Sequence, residues 1–154
     1  MGHTKKILIV LTVILGVGVG LYKFVEYGLT PLRQTIATDV DITNEWQEFQ
    51  PDVALIPRRQ TQHITLNVEG YNHNPGDPFE ISLENGSVVH PEIVVVTANG
   101  GSVSLKDSLR LGNTAGFSPR SGEFQTGQKY TKVMIRSDVP FKLTKLGWID
   151  MNLK

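Results

Sequence analysis

The side chains able to do chemistry in this sequence are few and scattered. His63, His73 and His90 are the histidines outside the first residues, and no two stand at the i, i+2 or i, i+4 spacing that sets two imidazoles on one metal. Separate strand or surface histidines are the plainer reading. Glu80, Glu84, Glu92 and Asp107 fall in or near extended runs, where carboxylates serve as the solvent side of a half-buried strand. The chain has no cysteine, which excludes disulfides, thiolate zinc sites, iron–sulfur clusters and thiol catalysis. It carries no GxSxG, HExxH, P-loop or dinucleotide fingerprint. The expectation is a protein that is not an enzyme and that uses no metal or cofactor.

Aromatic residues beside polar loops are the stronger lead. Tyr71-Asn72-His73-Asn74-Pro75-Gly76-Asp77-Pro78 is dense in turn formers, and residues 112–127 hold Phe117, Pro119, Arg120 and Glu123 among glycines. Oxygens in the first loop suit a hard cation, but without the acidic density of an EF-hand an Asx-stabilised turn is enough to explain it. Flat rings cover the apolar faces of pyranoses while amides, carboxylates and guanidinium groups pair hydroxyls, and protein interfaces favour similar types. The candidate ligand-binding residues are therefore Tyr71, Asn72, Asn74, Asp77, Phe117 and Arg120, gathered at the loop end of a sheet. Trp148 lies in a strand pattern and reads as core. Asn85-Gly86-Ser87 matches the glycosylation sequon, although a hairpin already explains its Asn-Gly.

The elements that must position these residues are strands. His63–Glu69, Phe79–Glu84, Ser102–Lys106 and Val139–Leu143 alternate apolar and polar, the pattern of antiparallel strands with one wet face. Ile93–Val96 is apolar throughout and predicts a central strand covered on both sides. Lys129–Arg136 and Gly147–Leu153 read as the last strands. Asn85-Gly86 and Asn99-Gly100 predict tight hairpins, the first as a type I′ turn. Eight to nine short strands at even spacing, with no helix after residue 50, predict an all-β antiparallel β-sandwich or jelly roll over residues 53–154, a closed barrel being the alternative. The stretch Tyr130–Lys154, with Arg136-Ser137-Asp138 ahead of the Trp148 strand, resembles in shape the jelly-roll modules of the galactose-binding-like class.

The N-terminus reads differently. Lys5 and Lys6 precede an uncharged run from Ile7 to Tyr22, which Phe24 and Val25 continue past Lys23. About 20 apolar residues span a hydrocarbon core of roughly 30 Å, so residues 5–27 are expected to cross the membrane as one helix and contact lipid. A cleaved signal peptide, ending near Gly18-Val19-Gly20, is the competing reading; the apolar run continues past that triplet and favours retention. The short basic tail places residues 1–27 as cytoplasmic tail and signal anchor, with the C-terminal domain extracytoplasmic. Gly16 and Gly20 form a GxxxG pair suited to a homodimer. Residues 28–52 are expected to form a membrane-proximal connector. There Leu32, Ile36 and Val40 suit a short amphipathic helix, and Trp46 and Phe49 a capped turn.

With 15 Lys+Arg against 15 Asp+Glu the chain lacks the basic surplus of a nucleic-acid binder. The functional expectation is a single-pass, membrane-anchored binding module for a protein partner of the envelope or a glycan. A structural subunit of a larger membrane complex is the alternative. A small hydrolase or metal-dependent enzyme on the same sheet is a more distant one.

Overall fold

The computed structural model describes Gly18 and residues 33–59, 61–71, 81–111, 114–119 and 124–151, without the side chains of residues 107–111. The chain divides into two compact units, Met1–Pro31 and Leu32–Lys154. The transmembrane helix expected over residues 5–27, with Gly16 and Gly20, lies outside the described residues apart from Gly18. Among the described residues no helix is long and apolar enough to cross a membrane.

The second unit is all-β. Its strands are β1 (Arg33–Ile42), β2 (Gln47–Phe49), β3 (Thr61–Val68), β4 (Ile81–Ser82), β5 (Val88–Val89), β6 (Pro91–Thr97), β7 (Ser102–Leu111), β8 (Thr114–Pro119), β9 (Tyr130–Ser137) and β10 (Phe141–Met151). Eight of them join in one antiparallel sheet, β1-β10-β3-β8-β7-β6-β9-β2, and β4-β5 form a separate ribbon. The pairing is nested: β1 with β10, β2 with β9, β3 with β8 and β6 with β7. This is one long hairpin whose two arms then roll together through the β10–β3 and β9–β6 ladders. The roll brings the edge strands β1 and β2 near each other, so the sheet is nearly closed. There the Ser137 amide donates to the Thr43 carbonyl at 2.8 Å, and Gln47 Nε2 donates to the Asp41 carbonyl at 2.8 Å.

Alternation explains where the core sits. Ile64 and Leu66 on β3, Ile93 and Val95 on β6, Val133 and Ile135 on β9, and Leu143 and Leu146 on β10 all turn inward and are buried. Each such side chain contributes about 1.5–3 kcal/mol on leaving water. Phe124 packs edge-on against Tyr130 and Trp148, with centroids 5.3 and 5.0 Å away. Trp148 is core, as its strand position predicts.

Several expectations change. The stretch expected as a connector joins the main sheet: the helix predicted through Leu32, Ile36 and Val40 is replaced by β1, and Trp46 and Phe49 lead into and end β2 rather than riding a helical turn. Ile93–Val96 is not covered on both sides, since Val94 and Val96 are only half-buried. The strands buried on both faces are β3, over Gln62 to Leu66, and β8, over Ala115 to Pro119. The irregular stretch 112–127 contains β8, and the two strands expected after Val139 are the single β10. The turns at Asn85 and Asn99 are three-residue loops rather than type I′ turns. In each, one glycine takes positive φ, 82° at Gly86 and 88° at Gly100, while the preceding Asn does not.

Candidate functional site

The outer face of β1-β10-β3-β8 carries a depression of about 360 Å³. Strand register sets its floor. Thr35, Gly147, Thr65 and Gly116 stand side by side across the four strands, so two hydroxyl side chains alternate with two positions that have none. Gly147 makes the hollow: a Cβ there would lie 2.7 Å from Thr65 Oγ1 and 3.2 Å from the Gln34 carbonyl. Real Cβ atoms do not approach so closely, which is why this outward position on β10 holds glycine.

Arg33 and Ile149, opposite each other, line one end. Lys145, Asn67 and Thr114 line the other, where Asn67 Nδ2 donates to Thr114 Oγ1 at 3.0 Å. The Thr144 hydroxyl donates to the Asn67 carbonyl at 3.0 Å and ties the strand edges below. Among the described residues lining the depression two are cationic and none is acidic. Further along the same strands Lys142 holds Glu69 at 3.0 Å, and this hydrogen-bonded carboxylate raises the lysine pKa above its ordinary value. Two residues before Thr65, His63 is buried with neither ring nitrogen hydrogen-bonded, and burial lowers its pKa. The groove offers hydroxyl, amide, guanidinium and ammonium groups on rigid strands. That set has the chemistry to pair with a polar or anionic ligand.

The residues singled out in the sequence do not assemble here. Asn72, Asn74, Asp77 and Arg120 lie outside the described residues. Phe117 is a correction: it faces inward from β8 opposite Ile64, is buried in the core, and offers no ring to a ligand. Tyr71 is half-buried against the core and bridges Leu83, so its body serves packing. His90 Nδ1 lies 3.7 Å from Asp138 Oδ2 on the surface, remote in role from the buried His63. Among the described residues no three His, Asp or Glu side chains gather as a metal site would need. Glu84 and Glu92 are exposed, the latter paired with Arg136 at 2.8 Å. The groove was missed because its residues are ordinary outward positions on strands distant in sequence. The one local signal was Gly147 inside a strand pattern, a mark of close approach.

On the outer face of the other half of the sheet, Arg136 lies 4.7 Å over the ring of the exposed Trp46. Lys132 pairs with Glu48 at 2.7 Å beside it, across β9 and β2. Here the charges are matched within the protein.

Compared with protein-family models, curated proteins and solved structures, the chain matches none.

Proposed function

We propose that this chain is a non-catalytic glycan-binding module, held at the membrane by residues 5–27 with its β domain extracytoplasmic, and that the groove over Gly147 is its binding site. The nested strand pairing supports the finer fold reading, a jelly roll of the galactose-binding-like shape, since paired strands 1:10, 2:9, 3:8 and 6:7 are what rolling one long hairpin produces. The observation that carries the functional reading is the floor of the groove. Thr35 and Thr65 flank a glycine in register, and Asn67 and Thr114 continue the polar lining. Sugars are recognised through such hydroxyl and amide partners on a preformed surface. The lining offers no pair of carboxylates among its described residues, so the groove binds rather than hydrolyses in this reading.

The test is a glycan array probed with the full chain in a polyoxyethylene detergent, whose head group presents no sugar. Glycan binding that Thr35→Val weakens, with the circular dichroism unchanged, supports the proposal. Absence of binding to every glycan, with a protein instead co-purifying stoichiometrically, replaces it by the structural-subunit reading.

A further inference from the structure

We infer that the groove takes an acidic oligosaccharide, with carboxylates carried on linked pyranose units and Arg33 and Lys145 as its two anion contacts. This rests on the glycan reading above and adds the charge and extent of the ligand.

Charge segregation is the first support. The chain as a whole is balanced, 15 Lys+Arg against 15 Asp+Glu, yet the described lining of the groove holds Arg33 and Lys145 and no acid. The placement of the two charges is the second. Lys132, Arg136 and Lys142 each hold a carboxylate within 3.0 Å, while Arg59, Lys106 and Lys129 form no ion pair among the described residues, so what distinguishes the groove cations is that both line one depression. Arg33 and Lys145 form no ion pair among the described residues. A guanidinium presents a planar fork to a carboxylate and an ammonium presents a compact charge, so both are set to receive anions.

Spacing then decides the kind of anion. Arg33 stands opposite Ile149, four residues along β10 from Lys145. At roughly 3.3 Å per residue their positions are about 13 Å apart along the strand. A single small anion would need both long side chains stretched toward each other along the strand, whereas an extended ligand lying along β10 and crossing the Thr35–Gly147–Thr65 row meets each where it stands. Ring hydroxyls find partners in the more accessible Thr35, Asn67 and Thr114 of the lining, with Thr65 and Gly147 buried at its base. A nucleic-acid strand fits less well: its bases need aromatic platforms, and among the described lining residues the one aromatic, Trp148, is buried in the core.

The experiment is isothermal titration of the full chain, in the same detergent, with oligomers of galacturonate, guluronate and hyaluronan, each beside its carboxyl-reduced counterpart. At least one acidic oligomer is expected to bind about tenfold or more tighter than its reduced form, with the advantage shrinking as salt rises. Arg33→Gln and Lys145→Gln should each remove about tenfold of that affinity, leave the reduced form unaffected and keep the circular dichroism spectrum. Equal binding of acidic and reduced forms, or Gln variants that bind the acid normally, overturns the inference while leaving the glycan reading intact. Failure of every oligomer, acidic and reduced, overturns both.

Discussion

Gly147 lies directly opposite Thr65 across β10 and β3, and a Cβ added to it would stand 2.7 Å from the Thr65 hydroxyl oxygen. Thr65 is buried and β-branched, so its χ1 has little freedom to yield. Gly147→Ala is expected to cost about 1–3 kcal/mol, the range for overpacking a tight site. Part of that should return in the double variant with Thr65→Ala, as a coupling of about 0.5 kcal/mol or more. Urea unfolding followed by Trp148 fluorescence measures both; additive effects would show that the Gln34 carbonyl, 3.2 Å away, is the real obstacle.

Asp150 anchors the segment that precedes β3. Its carboxylate is buried and accepts from the Arg58 and Arg59 amides and from Gln62 Nε2, each at 3.0 Å. Gln62 also donates to the Arg59 carbonyl, which closes the cluster. Asp150→Ala strands three donors, and with a desolvation cost of about 1–3 kcal/mol for each buried unsatisfied group the loss should exceed 2 kcal/mol. A lowered urea midpoint together with faster proteolysis near Arg58 and Arg59 is the expected result.

His63 makes stability depend on pH. Burial lowers its pKa below the ordinary 6.5, and neither nitrogen has a hydrogen-bond partner. The unfolded chain therefore binds the extra proton between the folded value and 6.5. Stability is complete above 6.5 and falls as pH drops through that window. His63→Leu should flatten this dependence and match or exceed the parent protein at neutral pH, because it removes two unsatisfied buried atoms. Urea midpoints compared at neutral and mildly acidic pH test the sign. A parent protein more stable in acid would refute it.

Gly86 and Gly100 isolate a backbone cost. Both have positive φ, and a Cβ at either meets nothing within 4 Å. Alanine at each should cost roughly 1 kcal/mol from conformation alone, and Asn at Gly100 less. Thermal unfolding of the single variants gives the comparison.

How far these features could be read in advance depends on how local their cause is. Alternation at His63–Glu69 locates β3 but not its surroundings, since His63 and Thr65 are buried along with Ile64 and Leu66. The apolar spacing of Ile36 and Val40 misleads, because a step of four is even and suits a strand as well as a helix turn. Strand β1 further hides its pattern in a register shift between Thr35 and Ala37 and in Asp39, whose φ is 54°. Asn85-Gly86 and Asn99-Gly100 locate their turns but not the type, which follows from the register of the flanking strands. In β8 the glycine and proline look like loop, yet Gly116 pairs in register with Thr65 as a strand residue. The groove itself joins four strands separated by much of the chain, so no local window contains it.

The nested pairing sets an order of events in biosynthesis. Strand β1 pairs with β10 alone, so it has no partner until the last strand has left the ribosome, and β3 gains β8 earlier but waits as long for its other neighbour, β10. Such long-range closure is slow and leaves unpaired edges exposed meanwhile. A nascent chain halted before Phe141 would present β1 bare and one edge of β3 open, a natural substrate for a holding chaperone.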